Sequence, residues 1–170
     1  NISFNMQEGA KATLIGDNGV GKSTLLKILA NELSPKSGTY RLASKPYFVP
    51  QHFGQYDDMT IYEALDVAYK VDALHQILSG ASELDYQEYL EALDDDWEIE
   101  EKVKKALSSW QLEHIDPNSQ LGLLSGGEKT KVFLAGIELH APSIILMDEP
   151  SNHLDYRSRE SLCQLIMSTS

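Results

Sequence analysis

The chain has 170 residues, a formal net charge of −12, 42% hydrophobic residues and a single cysteine, Cys163. This length and apolar content suit one globular domain with its own core, and no apolar run is long enough to predict a membrane span. No signal-peptide pattern is visible at the start, and one cysteine excludes an internal disulfide, which fits a reducing compartment such as the cytoplasm.

The N-terminal part of the chain reads as short strands around one helix. The predicted elements are, in order, the end of a strand at 1–6, a turn at 7–9, a strand at 10–15, a helix at 22–33, and two short extended segments at 39–42 and 46–49. Ser34-Pro35 ends the helix. The 10–15 strand runs directly into Gly16, so a glycine-rich loop connects a strand to a helix.

That loop, Gly16-Asp17-Asn18-Gly19-Val20-Gly21-Lys22-Ser23, has the G-x-x-x-x-G-K-S pattern of a phosphate-binding loop. Glycines allow backbone conformations that a Cβ would resist, so successive N–H groups can converge on phosphate oxygens. Lys22 adds a positive charge, the Ser23 hydroxyl can ligate Mg²⁺, and the following helix adds its positive end. The alternative is a plain glycine-rich turn, but the strand and helix on either side favour the phosphate loop.

The middle of the chain is predicted to be helical. A helix should begin at the capping box formed by Thr60 and Glu63 and run to about Leu78. Two further helices are predicted, over 84–93 and over 97–110, the latter capped by Asp96. The aromatic side chains of this region, Tyr86, Tyr89 and Trp97, are interpreted as packing residues.

Ten acidic residues lie between Glu83 and Glu101 with no lysine or arginine among them. They are interpreted as a solvated helix face, and the alternative is a surface for a basic partner. In either case this segment should not bind a phosphate backbone by itself.

The C-terminal part returns to the α/β pattern. Ser125 and Glu128 have the spacing of a capping box at the start of a helix that ends near His140. Residues 144–147 are apolar and predict a strand buried on both faces. Asp155 should cap a last helix over 156–167, in which Cys163 is interpreted as a small packing residue.

Two adjacent acids, Asp148 and Glu149, follow the 144–147 strand. A carboxylate at the end of a buried strand could reach the Mg²⁺ held by Ser23, and Asp148 is placed for that role. Glu149 could orient and deprotonate an attacking water. Such a pair is weak evidence alone and much stronger behind a phosphate loop.

Five ordered motifs resemble those of the ATP-binding cassette (ABC) ATPases. They are the phosphate loop, Gln51 after a strand, Leu124-Ser125-Gly126-Gly127-Glu128, the strand ending in Asp148-Glu149, and Ser151-Asn152-His153-Leu154-Asp155. The resemblance implies an α/β fold of the P-loop type, with a mainly parallel sheet, flanking helices, a small antiparallel β part and an inserted helical subdomain. It implies one nucleotide-binding domain truncated at both ends, with 1–55 and 125–170 as catalytic core and 56–124 as helical subdomain.

The resemblance also implies a set of roles in binding and hydrolysing ATP with Mg²⁺. Lys22 and the loop from Gly16 to Thr24 would hold the phosphates, and Ser23, Gln51 and Asp148 would form the metal site. Glu149 would be the general base, with Lys22 and Gln51 also counted as catalytic. A second cassette is expected in the same full-length polypeptide, with its nucleotide facing the signature stretch, Leu124-Ser125-Gly126-Gly127-Glu128. Ser125, Gly126, Gly127 and Glu128 would bind that nucleotide, and Asp155, counted with the same binding residues, would contact the partner cassette. The family's adenine-stacking aromatic and switch histidine are expected before Asn1 and after Ser170.

The form Glu149-Pro150-Ser151-Asn152-His153-Leu154-Asp155, with Glu128 in the signature, is similar to the ABC-F branch. That branch lacks membrane domains and acts on ribosomes, in translation or in protection against antibiotics, so ribosome contact is expected through regions outside this chain. Two alternatives stay open: the ATPase subunit of a transporter with a membrane partner, and a cassette that binds ATP as a latch with negligible hydrolysis. The isolated chain could itself be inactive.

Overall fold

The computed structural model describes residues 2–80, 82 and 85–169. It is α/β, with a small parallel sheet and several helices. The elements are α1 (Lys22–Leu29), β1 (Tyr47–Val49), α2 (Ile61–Ala64), α3 (Ala68–Leu78), α4 (Tyr86–Leu93), α5 (Ile99–Ser109), α6 (Gly126–His140), β2 (Ile145–Met147) and α7 (Tyr156–Ser168), with short 3₁₀ turns at Gly54–Tyr56 and Leu121–Leu123. No helix in the described part of the chain is both long and apolar enough to cross a membrane.

The chain forms two compact units. The first, called here the loop-and-strand unit, comprises the described residues of 1–51 and 141–170. The second, called the helical unit, comprises those of 52–140. The predicted helical segment, 56–124, lies inside the helical unit, which extends to His140 because α6 packs against α5.

The loop-and-strand unit is organised around a two-stranded parallel sheet. Strand β1 pairs with β2 in register, with Phe48 opposite Leu146. The amide of Asp148 extends the ladder by donating to the carbonyl of Val49 at 3.0 Å. The carboxyl ends of both strands therefore lie at the same edge, so the residues that follow them, Gln51 and Asp148-Glu149, come close together.

Several predictions for this unit were wrong. Residues 2–6, 10–15 and 39–42 form no strand, and the part of the 1–6 prediction that falls on Asn1 lies outside the described residues. A strand needs a neighbour to complete its ladder, and these segments have none among the described residues; Ile15 is 92% exposed. Strand β2 is half-buried rather than buried on both faces because β1 is its one described neighbour.

Helix α1 follows the phosphate loop as predicted but ends at Leu29 rather than residue 33. Asn31 adopts a left-handed conformation with φ 64°, and the amide of Glu32 turns back to the carbonyl of Lys27 at 2.9 Å. This left-handed residue closes the helix in the way that glycine and asparagine commonly do.

At the C-terminal end of the same unit, Asp155 caps α7 as predicted, accepting the Ser158 amide at 2.8 Å. Cys163 lies on α7 but is exposed, so its interpretation as a packing residue was wrong. The side chain of Lys11 donates to the carbonyl of Met167 at 3.2 Å and so ties the N-terminal segment to this helix.

The helical unit has a well-packed apolar core. Its fully buried side chains include Ile61, Leu65, Leu93, Ile99, Leu107, Trp110, Leu112, Leu121, Leu134 and Ile137. Trp110 buries its ring and donates its indole N–H to Glu138 on α6 at 3.0 Å, which satisfies the polar atom of a large apolar group. Phe133 stacks near Phe53 and Tyr56, with ring centroids 5.2 and 5.1 Å away.

The predicted helix over 60–78 is divided in two. The capping box at its start is confirmed: Thr60 accepts the Glu63 amide at 3.2 Å, and Glu63 accepts the Thr60 amide at 2.6 Å. Asp66, with φ 57°, then ends α2 before α3 begins. A left-handed residue cannot continue a right-handed helix, so α2 and α3 are separate helices.

The helices of the acidic segment are shorter than predicted. Helix α4 begins at Tyr86, and the predicted start at Leu84 lies outside the described residues. Helix α5 begins at Ile99 after Glu98, so the prediction that Asp96 caps it was wrong. The Asp96 carboxylate instead accepts hydrogen bonds from Lys70 and Lys102, which do not belong to its own turn.

Most of the described acids of this segment are exposed, as predicted for a solvated face. Trp97 and Tyr86, however, are 45% and 41% exposed, so their interpretation as packing aromatics was wrong. Antiparallel pairing among the described residues is limited to a single bridge between Thr60 and Gln120, in the helical unit.

Candidate nucleotide site

The phosphate loop has the backbone geometry that its glycines predict. Gly19 and Gly21 adopt positive φ angles of 83° and 101°. Gly16 has no such angle, and an added Cβ there would lie 3.1 Å from Val20 Cγ2. The loop therefore uses two glycines for conformation and one for a close side-chain contact.

Gly21 is also the N-cap of α1. It supplies no side-chain acceptor, so the first amides of the helix are not capped by a side chain. The Lys22 ammonium folds back over the loop and donates to the carbonyls of Gly16 at 2.8 Å and Asp17 at 3.0 Å. Uncapped amides at the start of a helix, beside an ammonium, are an arrangement that binds phosphate.

The acids and the amide predicted for metal and water chemistry meet at the carboxyl edge of the sheet. Gln51 Nε2 donates to Glu149 Oε2 at 2.8 Å, although the two residues are 98 positions apart. Asp148, next to Glu149, is 4% exposed. Glu149 itself is exposed and adopts a left-handed conformation with φ 50°, a strained backbone of the kind that occurs at functional sites.

The donor atoms of the predicted metal ligands fit Mg²⁺. The candidate ligands are a hydroxyl (Ser23), an amide oxygen (Gln51) and a carboxylate (Asp148), all oxygen donors, and Mg²⁺ is usually held by one or two carboxylates with substrate phosphates and waters. The hydrogen bond of Gln51 uses its Nε2, which leaves Oε1, the atom that could ligate a cation, outside that bond. A carboxylate as buried as Asp148 is stabilised by a cation. No group of three or more His, Cys, Asp or Glu side chains in the described chain could hold a metal, so a Mg²⁺ held by these three residues would take its remaining ligands from phosphate and water.

The signature stretch belongs to the helical unit, and polar groups of its Ser125 and Glu128 hydrogen-bond to each other. The Ser125 hydroxyl donates to Glu128 Oε2 at 2.7 Å, and the Ser125 amide donates to the same oxygen at 2.8 Å. The Glu128 amide returns to the Ser125 hydroxyl at 3.4 Å, which confirms the predicted capping box. These bonds from Ser125, and secondarily His114 at 3.5 Å, hold the pKa of Glu128 below its usual value.

Two features were not predicted from the sequence. The side chain of Asn152 donates to Glu149 Oε2, and the only sequence signal for it was a turn with proline in second position. Lys129, at the first turn of α6, forms an ion pair of 2.6 Å with Asp57, in the segment that follows Gln51. That pair joins positions 72 apart in the sequence, and no local pattern indicates it.

A phosphate loop before a helix, followed by an acid pair at the end of a parallel strand, defines the P-loop class of nucleotide-binding proteins. The family model described as ABC transporter matches residues 1–152. The chain therefore belongs to the ABC ATPase family, whose cassettes bind ATP, and the resemblance predicted from the five motifs is confirmed.

Several relatives are about 30% identical to this chain over the aligned residues. The probable ATP-binding protein YbiT of Escherichia coli O157:H7 is 31% identical over 95% of this chain and 27% of its own length. ABC transporter F family member 4 of Arabidopsis thaliana is 30% identical, over 98% and 20%. The tylosin resistance ATP-binding protein TlrC of Streptomyces fradiae is 32% identical, over 92% and 32%. The similarity thus includes the ABC-F branch, as predicted, and the chain spans less than a third of each of these relatives.

The fold agrees with a solved cassette. The ATP-binding cassette MJ1267 of an ABC transporter, in its ADP conformation, superposes with a TM-score of 0.50 at 24% identity, covering 90% of this chain and 63% of that one. This likeness confirms the predicted fold class.

Proposed function

We propose that this chain is one catalytic cassette of a larger protein and hydrolyses ATP in the presence of Mg²⁺. The observation that carries the proposal is the Gln51–Glu149 hydrogen bond beside Asp148, at the sheet edge of a chain that also has a phosphate loop. In this proposal the loop from Gly16 to Thr24 holds the phosphates, and Ser23, Gln51 and Asp148 hold the metal. The bound metal would neutralise charge on the phosphates during transfer.

Glu149 is the proposed general base. Its carboxylate lies at the surface, where water reaches it, and is held by amide donors on one oxygen. A carboxylate so fixed can accept a proton from a water that attacks the terminal phosphate. Lys22, which exchanges loop carbonyls for phosphate oxygens when nucleotide binds, contributes positive charge at the site of transfer.

The proposed active form contains a second cassette. The signature residues Ser125, Gly126, Gly127 and Glu128, together with Asp155, would then contact the nucleotide or the surface of that partner. The support is the ABC family itself and the exposed amide end of α6. We also propose the predicted functional division, in which 1–55 and 125–170 form the catalytic core and 56–124 the helical subdomain.

The test is hydrolysis by the full-length protein, measured as phosphate release with ATP and Mg²⁺. Changing Glu149 to Gln should lower kcat by about 100-fold or more, because general-base catalysis contributes factors of this order, while ADP still binds. The matched control is Glu160→Gln, the same change at an exposed position of α7. Turnover by Glu149→Gln at the wild-type rate would remove Glu149 from this role.

We further propose that the full-length protein is a cytoplasmic ABC-F factor that acts on the ribosome, in translation or in antibiotic protection. Similarity to an ABC transporter F family member and to a tylosin resistance protein supports this assignment. Cosedimentation of full-length Glu149→Gln with ribosomes, in ATP and without it, is the direct test. Equal recovery with and without ribosomes would contradict the proposal.

A second candidate is the ATPase subunit of a transporter with a membrane partner. The matching family description favours it, since that description names ABC transporters. The two candidates share the chemistry and differ in the rest of the polypeptide. A second cassette in the same chain favours the ABC-F assignment, and co-purification with a membrane-spanning subunit favours the transporter.

A further inference from the structure

The turn after β2 folds one more polar side chain onto the proposed base. The backbone N–H of Asn152 donates to the backbone carbonyl of Glu149 at 3.2 Å, which closes a four-residue turn with Pro150 in second position. The side-chain Nδ2 of Asn152 also donates to Glu149 Oε2. Because Gln51 donates to that same oxygen, Oε2 takes both amide donors and Oε1 takes neither.

The two donors come from different parts of the chain. Gln51 lies after β1, and Asn152 lies in the turn after β2. With a single donor the carboxylate could still rotate about its own bonds, whereas two donors from separate segments define its orientation. The turn itself does not need the Asn152 side chain, because the backbone bond closes it.

We propose that Asn152 is a positioning residue for the hydrolysis reaction: it holds the carboxylate of Glu149 so that Oε1 is the oxygen offered to the attacking water. This inference rests on the proposed role of Glu149 as general base. Gln51 is also a proposed metal ligand, so its side chain has two tasks, and Asn152 keeps the carboxylate oriented when Gln51 adjusts to the cation. Proton transfer depends steeply on such geometry.

The experiment uses the full-length protein with ATP and Mg²⁺ as the probe. Asn152→Leu removes the amide donor at similar side-chain size, and Asn152→Asp replaces the donor by an oxygen that repels the Glu149 carboxylate. We expect kcat to fall about tenfold for the leucine variant, and further for the aspartate variant, because a poorly oriented base costs factors of this size. The KM for ATP and the affinity for ADP should stay at wild-type values, since the carboxylate does not hold the nucleotide.

The matched control is Asn118→Leu in the helical unit. Asn118 is also exposed, and its Nδ2 also donates to a nearby carboxylate, that of Asp116, at 3.2 Å. This control should keep wild-type kcat. Rates are expressed per site titrated with ADP, so that a partly unfolded variant does not imitate a loss of kcat.

Combining Asn152→Leu with Glu149→Gln separates this inference from the proposed function. If Asn152 acts through Glu149, the leucine change adds no further loss when Glu149→Gln is already present. An additional tenfold loss in that double variant, or full kcat in Asn152→Leu while Glu149→Gln is inactive, overturns the positioning role and leaves the proposed function standing. Wild-type turnover by Glu149→Gln instead overturns the proposed function and this inference with it.

Discussion

Removing either partner of the ion pair between Asp57 and Lys129 should destabilise the helical unit, but by very different amounts. The two charges are 2.6 Å apart, and the Lys129 side chain is 13% exposed whereas that of Asp57 is 43% exposed. Removing the carboxylate by Asp57→Ala leaves an ammonium that is mostly buried without its anion. Removing the ammonium by Lys129→Met leaves a carboxylate that water can solvate.

The size of the effect follows from these exposures. Breaking a fully buried pair costs about 3–5 kcal/mol, and exposed pairs are worth about 0–1 kcal/mol. For this half-exposed pair we expect Asp57→Ala to lower the free energy of unfolding by about 2 kcal/mol, and Lys129→Met by less than about 1 kcal/mol. The double variant should cost less than the sum, because the methionine removes the charge that Asp57→Ala leaves unpaired.

Urea unfolding followed by tryptophan fluorescence measures these values. Both tryptophans of the chain, Trp97 and Trp110, belong to the helical unit, so the signal reports on the unit that contains the pair. Equal losses for the two single variants, or strictly additive losses in the double variant, would refute the reasoning from unequal exposure.

Three further predictions concern the same unit. Gly122→Ala should lower the free energy of unfolding by about 1–3 kcal/mol, measured with urea, because the added Cβ would lie 2.8 Å from the carbonyl oxygen of Asp57. Gly54→Ala is its control, since a Cβ there meets nothing within 4 Å. A similar loss at both sites would contradict the argument. Thr60→Ala removes the capping box of α2 and should cost about 1 kcal/mol in the same assay, so an unchanged urea midpoint would argue against a stabilising cap. Burial, and then the nearby Glu100, raise the pKa of Tyr62 from 10.0 to about 12. The folded protein therefore holds the phenolic proton more tightly than the unfolded chain does. The contribution of Tyr62 to folding stability is complete below pH 10 and is lost as the pH rises towards 12. Tyr62→Phe should lose less stability than wild type across this interval, and parallel pH curves would count against the shift.

The features that could be predicted from the sequence are those that local chemistry determines. The glycines of the phosphate loop precede α1 and its lysine, Lys22, begins that helix, as expected, and Asp155 caps α7 with a bond of 2.8 Å. Thr60 and Ser125 each begin a helix with the predicted capping box. In these caps the donor and acceptor lie within a few residues of each other, so a short stretch of sequence contains both partners of the interaction.

The features that could not be predicted depend on distant partners. Asp96 has the residue type of a helix cap, but its carboxylate binds Lys70 and Lys102 instead. Residues 10–15 have the apolar pattern of a strand, but strand formation also requires a ladder partner, and none pairs with them among the described residues. An apolar pattern therefore indicates which element a segment could form, and tertiary contacts decide whether it forms. Tertiary contacts likewise decide whether an aspartate such as Asp96 caps a helix or joins an ion pair.

The hydrogen bonds that Ser125 of the signature stretch makes within its own capping box affect the proposed two-cassette mechanism. Its hydroxyl proton is already donated to Glu128 at 2.7 Å, so donation to a phosphate on a partner cassette requires that this bond be given up. The cost is about that of one hydrogen bond to a charged group, roughly 1.5–3 kcal/mol, and a phosphate oxygen returns a bond of the same kind. The Ser125 amide makes a separate bond to Glu128 at 2.8 Å, which does not involve the hydroxyl that the phosphate would engage. The proposed contact is therefore nearly balanced in energy, and closure of the two cassettes would depend on the nucleotide bound between them rather than on the signature alone.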